Sequence, residues 1–375
     1  MNNKKTSVSE FLWKDKKHRA KNIYFFLTLF ICLAAVVLGF VNSKLDMLQI
    51  GSEVTDGKNN NQPLVYDEEE LKLMQAISDA GDLNDFLYQW SENGGELYSS
   101  KNVINIMLFG LDSDEALEYG GRSDSMILVS LNKETKQINL ISFFRDSWCY
   151  TNAGGYDTYT KMNASYYYGG PTGAIDTIEK NYKIDIDYYV AVDFSSFVDV
   201  IDALGGVTVE VQDYEAEYIN TTSSQHIESG PAVKLSGQEA LVFSRIRKSD
   251  SDSDVSRTRR QRMVITALIE SAKGASISQL NDVLDILLQY VKTDLTKMQI
   301  ISYATQGVTN GWLNYEIKQH TFLSENDVFR TDWVGDMSVV VIDYPLAAQK
   351  VQNTIFGNTN IVLEEGRLTA FDLLY

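Results

Sequence analysis

"NVINIMLFG", residues 102–110, is an almost unbroken apolar run of nine residues. A strand with one wet face alternates apolar and polar residues, so a continuous run predicts a strand covered on both faces. "SMILVSL" (125–131) and "QINLISF" (137–143) follow, joined by the polar turn "NKETK", and predict a hairpin. Working outward, further strands are expected at "YYVAVDF" (188–194), "GVTVEV" (206–211) and "MSVVVID" (337–343). Helical patterns fall at 172–182, 195–204, 257–273, 279–291, 297–306 and 345–356. Strands interspersed with helices predict an α/β sandwich rather than a β-barrel.

On the N-terminal side, "NIYFFLTLFICLAAVVLGFV" from Asn22 to Val41 carries no charge over twenty residues. That matches the roughly 20 residues a helix needs to cross a bilayer core. Residues 1–44 hold eight Lys/Arg against two acids, a net +6, which leaves −24 for the rest of a chain whose total is −18. The positive-inside rule then keeps residues 1–21 in the cytoplasm as a basic tail. A cleaved signal peptide would have a shorter apolar region, of about 7 to 15 residues, and a small-residue cleavage site that is missing here, so residues 22–42 are expected to remain as a transmembrane helix. Residues 43–101 read as an extracellular stalk, "GSEVTDGKNNNQP" being turn-rich, followed by an acidic helical pattern at 67–90 expected to pack on the main domain. The main domain is expected over 102–360, with 361–375 as a C-terminal tail.

Composition removes several chemistries. The acidic exterior argues against nucleic acid as a partner. Cys32 falls in the membrane span and Cys149 stands alone outside it, which excludes a thiolate zinc site and an intrachain disulfide between folded-domain cysteines. His18, His226 and His320 are scattered, so neither a histidine metal centre nor a catalytic histidine is expected. Carboxylates, arginines and hydroxyls remain.

Against that acidic background, "RKSDSDSDVSRTRRQR" (247–262) packs six basic residues and three aspartates into one stretch. An apolar stripe through Val264 and Leu268 carries back, at helical spacing, to Arg257, Arg260 and Gln261, placing them inward, with Arg259 and Arg262 pointing elsewhere. Arginine opposes the macrodipole at a helix N-terminus, and a bound anion would offset that. Internal pairing with Asp250, Asp252 and Asp254 is the competing reading. Just upstream, Arg245 and Arg247 in "LVFSRIR" share a face if the segment is extended. In "LFGLDSDEALEYGGRSDS" (108–125), Asp112 follows one strand and Asp124 opens the next, with Arg122 two residues before it. Strand ends gather ligands in α/β sheets, and two carboxylates suit Mg²⁺ with phosphate oxygens and water. Ordinary turn chemistry explains the same residues. Arg145 and Asp146 end a strand in "ISFFRDSW", a pairing more often structural, and Lys161 opens "KMNASYYYGG". Arginines for phosphate and aspartates for its metal are the equipment of phosphoryl transfer.

Taken in order, "INIMLFGLDSD", "GRSDSMILVSLN", "QINLISFFRDSW", "KMNASYYYGG", "YYVAVDFSSFVDVIDALGGVTVEV", "LSGQEALVFSRIR" and "DVSRTRRQ" resemble the LytR-CpsA-Psr family of cell-envelope proteins. The likeness runs from about residue 103 to 270. It implies a three-layer α/β/α sandwich with a mixed central sheet. It also implies a membrane-anchored phosphotransferase that moves an anionic glycopolymer from a polyprenyl pyrophosphate carrier to peptidoglycan and releases polyprenyl phosphate. By motif, Asp112 and Asp124 would hold Mg²⁺, either one assisting deprotonation of the acceptor hydroxyl. Arg122, Arg145, Lys161, Arg245, Arg247, Arg257, Arg260 and Gln261 would surround the pyrophosphate, with Asp112, Asp124, Arg145 and Arg257 as the catalytic set and Asp254 orienting the arginines. Two positions depart from the family pattern: Phe144 stands where proline is common, and Cys149 where a basic residue is common. A hydrolase of the same pyrophosphate, and a receptor that binds the glycan without chemistry, are the alternatives. A transcription regulator is disfavoured, because a cytoplasmic tail of 21 residues is well below the roughly 40 at which small domains become marginal.

Overall fold

The computed structural model describes residues 49–50, 68–111, 121–223, 226–247, 253–274, 291–296 and 310–374, with isolated positions between 279 and 306. Along the chain these form β1 (Gln49–Ile50), α1 (Glu68–Asp79), α2 (Gly81–Asn93), β2 (Val103–Leu111), β3 (Ser123–Asn132), β4 (Gln137–Phe143), β5 (Trp148–Thr151) and β6 (Thr158–Lys161). Next come α3 (Met162–Tyr182), β7 (Tyr188–Val192), α4 (Phe194–Ala203), β8 (Val207–Val211), α5 (Asp213–Ser223), β9 (Gly230–Leu235), α6 (Gly237–Arg245) and α7 (Ser253–Gly274). The last are β10 (Lys292–Thr293), β11 (Glu316–His320), β12 (Phe329–Val334), β13 (Met337–Ile342) and α8 (Tyr344–Phe356). The chain divides into two compact units, one built from 51–194, 254–262 and 317–375, the other from the remainder.

In the first unit the sheet order is β7-β2-β3-β4-β11. β2 runs parallel to β7 and antiparallel to β3, and β3 antiparallel to β4, so the central sheet is mixed and the fold α/β. Burial explains the apolar run: Met107 and Phe109 face one hydrophobic cluster with Leu128, Ile141 and Phe143, while Ile104 and Ile106 are buried on the opposite face. Ile178 and Tyr182 of α3 and Ala347, Val351 and Ile355 of α8 fill that cluster. The acidic pattern at 67–90 folds as α1 and α2, which contribute Ala76, Leu83 and Leu87 to the same core. Two indoles tie them in: Trp148 Nε1 donates to Asn84 Oδ1 at 2.9 Å, and Trp90 Nε1 donates to the Asn181 carbonyl at 2.8 Å. Phe144 stacks on Phe329 with ring centroids 5.4 Å apart.

Behind β13, Asp343 is wholly buried at the start of α8. Arg367, from the segment after α8, meets its carboxylate with both terminal nitrogens, and the Ala370 amide donates to Asp343 Oδ1 at 3.4 Å. A 3₁₀ turn at Ala370–Leu373 then packs Ala370 into the core.

The second unit has its own core of Ile201, Val207, Ile219, Leu235, Phe243 and Val264. β8 and β9 pair antiparallel. Ser236 and Glu239 form a reciprocal capping box that starts α6, satisfying two amide donors that a helix end otherwise leaves open. That box decides "LVFSRIR": the segment is helical to Arg245 and turns extended only at Ile246, so Arg245 and Arg247 flank a helix end rather than sharing one extended face. The expected membrane helix at 22–42, the stalk residues 51–66 and most of the expected helices at 279–291 and 297–306 lie outside the described residues. Among the described helices none is long and apolar enough to cross a membrane.

Candidate active site

Four elements of the first unit bring six charged side chains together. Antiparallel pairing sets the start of β3 beside the end of β4, with Met126 opposite Phe143, so Asp124 and Arg145 meet at one sheet end. A turn after β4, closed by the Ser147 amide and hydroxyl on the Phe144 carbonyl, throws out Arg145 and Asp146. Lys161 ends β6 opposite Trp148. The first amides of α3 lock onto the same turn, Met162 N donating to the Ser147 carbonyl at 2.8 Å and Asn163 N to that of Arg145 at 3.0 Å. The first turns of α7 add Asp254 and Arg257.

Acids and bases alternate through this cluster. Arg145 Nη1 donates to Asp124 Oδ1, and its Nε to Asp146 Oδ2 at 3.3 Å. Lys161 Nζ reaches Asp146 Oδ1 at 3.2 Å, and Arg257 Nη2 lies 3.1 Å from Asp254 Oδ1. Burial would weaken Arg145 as a base, but Asp146 and then Asp124 outweigh it and raise its pKa. Burial likewise opposes ionisation of Asp146, yet Lys161 and Arg145 pull its pKa below the usual range. Asp254 goes the other way: desolvation raises it, Arg257 only partly compensates, and the neighbouring Asp146 charge adds to the rise. Of Asp146 and Asp254, the latter therefore takes up a proton first. Arg257 is 3% exposed, and desolvation lowers its pKa against the pull of Asp254. Its Nε is buried with no hydrogen-bond partner among the described residues. A buried donor left unmade is costly, so this one is poised for an acceptor. Three cations and three carboxyls at a strand end, all within one compact patch, form a site able to exchange its internal partners for phosphate oxygens.

The profile of the LytR_cpsA_psr family matches residues 68–354. This chain belongs to that family. Polyisoprenyl-teichoic acid–peptidoglycan teichoic acid transferase TagU of Oceanobacillus iheyensis is 36% identical over 234 residues, 60% of this chain and 70% of the relative. The protein of the same name in Bacillus anthracis is 37% identical over 215 residues, 56% of this chain and 67% of the relative. Among solved structures, TagT bound to LI-WTA superposes with a TM-score of 0.53 at 25% identity, over 70% of this chain and 93% of that one.

Within this LytR-CpsA-Psr chain, the residues named from sequence are placed unevenly. Asp124, Arg145, Lys161 and Arg257 converge. Arg122 lies exposed just before β3. Gln261 accepts from the Ser125 hydroxyl at 3.3 Å, and Arg260 is wholly buried in α7. Arg245 and Arg247 stand at the end of α6 in the other unit, the first exposed and the second half-buried. Asp112 lies outside the described residues. Arg262, expected to point away, is instead buried and donates to Ser142 Oγ at 2.7 Å. Its burial and the nearby Arg259 push its pKa down to about 10. Asp146, read from sequence as a structural partner, sits at the centre of the cluster. Its adjacency to Arg145 at a strand end was the one available signal.

Proposed function

We propose that this chain is a TagU-like transferase, which takes an anionic glycopolymer of the teichoic acid kind from a polyprenyl pyrophosphate carrier and attaches it to peptidoglycan. The observation that carries the reading is Arg257: a buried guanidinium with an unspent Nε, close enough to Arg145 to feel its charge and gathered with Arg145 and Lys161 around Asp146. Its family membership and the names of its relatives supply the substrate class.

In the reaction, the acceptor hydroxyl oxygen attacks the glycan-side phosphorus. The bond from that phosphorus to the bridging oxygen breaks, polyprenyl phosphate leaves with the bonding pair, and the hydroxyl proton passes to a carboxylate, Asp124 or Asp112. Arg145, Lys161 and Arg257 hold the phosphate oxygens, and the resemblance adds Arg122, Arg245, Arg247, Arg260 and Gln261 around them. Fixed cations of this kind lower the barrier because charge neutralisation and positioning supply most of the catalysis in phosphoryl transfer. Asp146 and Asp254 keep the guanidinium groups oriented before substrate arrives.

Magnesium fits the donor set in a limited way. Among the described residues no three His, Cys, Asp or Glu side chains gather as a cage. Asp124 offers one hard oxygen donor, and Mg²⁺ commonly takes one or two carboxylates and completes its shell with substrate phosphate and water. Bound through Asp124 and Asp112, it would neutralise phosphate charge. The uncharged stretch 22–42 behind a basic tail supports a single-pass anchor with a cytoplasmic N-terminus and the site outside the cell, close to the lipid carrier.

The test is transfer of labelled glycopolymer from a polyprenyl pyrophosphate donor to peptidoglycan oligomers, with Mg²⁺ and with EDTA. Label attached to the oligomers only with Mg²⁺ is the expected result. Label released to water would make the protein a hydrolase, and tight donor binding without turnover a receptor.

A further inference from the structure

At the turn of the β5–β6 hairpin lies a surface that the phosphate chemistry does not use. Tyr167 is 62% exposed and Tyr156 57%, unusual for aromatic side chains in a chain that buries Tyr166, Tyr182 and Tyr189. Tyr156 stacks on Tyr168 with ring centroids 4.6 Å apart and planes at 26°, and Tyr167 meets Tyr168 edge-on at 5.7 Å. The three rings form one continuous aromatic ledge.

The backbone beneath is built for it. Gly154 has φ +59°, and a Cβ there would fall 2.1 Å from the Tyr168 carbonyl oxygen. A Cβ on Gly169 would fall 2.8 Å from the Gly154 amide nitrogen. With Gly173, where a Cβ would fall 2.8 Å from that of Ala153, these glycines let the 153–155 turn press onto α3, and that approach lays Tyr156 over Tyr168. Tyr166, the neighbour in sequence, turns inward against Phe109 and fixes the helix, so Tyr167 is held outward. The ledge and the charged cluster share the β5–β6 hairpin: its turn carries Tyr156, its other end sets Lys161 opposite Trp148, and α3 runs from Met162 back to Tyr167 and Tyr168.

Exposed, rigid tyrosine rings bind flat apolar faces that also carry hydroxyl groups, because the ring packs while the phenol stays wet. Pyranose rings present such faces. Asp157 is exposed next to Tyr156, and a polymer of repeated phosphates would be repelled there. N-acetylated sugar rings, which carry no charge, would not. We propose that Tyr156, Tyr167 and Tyr168 form the docking ledge for the glycan strand of the peptidoglycan acceptor, which they hold along the β5–β6 hairpin that ends at Lys161. This rests on the transferase reading for its acceptor, but its binding test does not need turnover.

The experiment uses the full chain and two probes: peptidoglycan glycan-strand oligomers and N-acetylglucosamine oligomers. Binding is followed by NMR saturation transfer and calorimetry, and transfer kinetics are measured with acceptor and donor varied separately. Tyr156→Ala/Tyr167→Ala is expected to weaken oligomer binding and raise the acceptor KM by about tenfold, while donor KM and kcat hold. Tyr156→Phe/Tyr167→Phe, which keeps the rings, should retain most of the affinity. Oligomers that fail to bind the wild type, or that bind the alanine variant equally well, overturn the ledge. Ring-dependent binding in a protein without transfer would uphold the ledge and remove the transferase reading instead.

Discussion

Asp124 and Arg145 illustrate how a single contact can be structural in one state and chemical in another. The guanidinium is satisfied by Asp124 and Asp146, and a phosphate must displace one of them. Asp124→Asn keeps the shape and removes the charge that would take the hydroxyl proton. Transfer should fall by at least about 100-fold while the melting temperature moves by only a few degrees, checked by labelled-product assay and calorimetry. The pH behaviour of the cluster is partly self-cancelling. Asp146, with a depressed pKa, contributes stability that is present above the unfolded value and lost as pH falls through the folded one. Asp254, with a raised pKa, is better tolerated at low pH. A cleaner signal comes from Glu179 of α3, which accepts from the Ile186 amide at 2.7 Å. Burial pushes its pKa up to about 7, helped by Asp185. The folded protein then keeps a proton that the unfolded chain releases above its ordinary value of 4.5. Stability should therefore be highest below pH 4.5 on account of this group, decline as pH rises, and level off above 7. Glu179→Gln should flatten that decline in a series of thermal melts.

Among the elements, α2 is the clearest case of a segment whose role is set by packing rather than by its acidic composition. Leu87 is wholly buried, and Leu87→Ala should cost about 2 to 5 kcal/mol in urea unfolding of the whole chain. A result under about 1 kcal/mol would mean that α2 is a loosely attached spacer. The sheet was largely legible in sequence: residues 137–143 form a strand over that full range, and the run at 102–110 is one residue out of register with β2 at Val103–Leu111. Burial on both faces writes itself into composition, which is why these strands could be read. The β5–β6 hairpin could not, because "WCYT" and "TYTK" are too short to establish a period. The first half of α3 was missed for another reason. Its tyrosines and the Gly170–Pro171 break look like a loop, and the break does interrupt helical backbone within the element. α6 stayed open between strand and helix in sequence, because its start depends on a capping box several residues upstream of the arginines. The candidate site follows the same pattern: the motif residues were visible singly, whereas the alternation of Asp124, Arg145, Asp146 and Lys161 exists only once β3, β4 and β6 converge.

For the whole molecule, the buried core of the first unit runs from Ala76 to Ala370, with Leu73 and Leu374 packed against it, and among the described residues nothing before Leu73 joins it. Removing residues 1–48 should leave thermal unfolding unchanged and move the protein from the membrane fraction to the soluble one, as sedimentation would record. Retention in membranes after that removal would reject the anchor at 22–42. The family match ends at residue 354, yet the molecule closes later, through Asp343, Arg367 and the Ala370 turn. That has a practical side for anyone shortening the gene. A chain stopped at residue 360 loses the guanidinium and strands a carboxylate with 0% side-chain exposure, a loss of about 3 to 5 kcal/mol. Expression boundaries are thus better set by the last ion pair than by the last motif, and a purification tag belongs beyond Leu374.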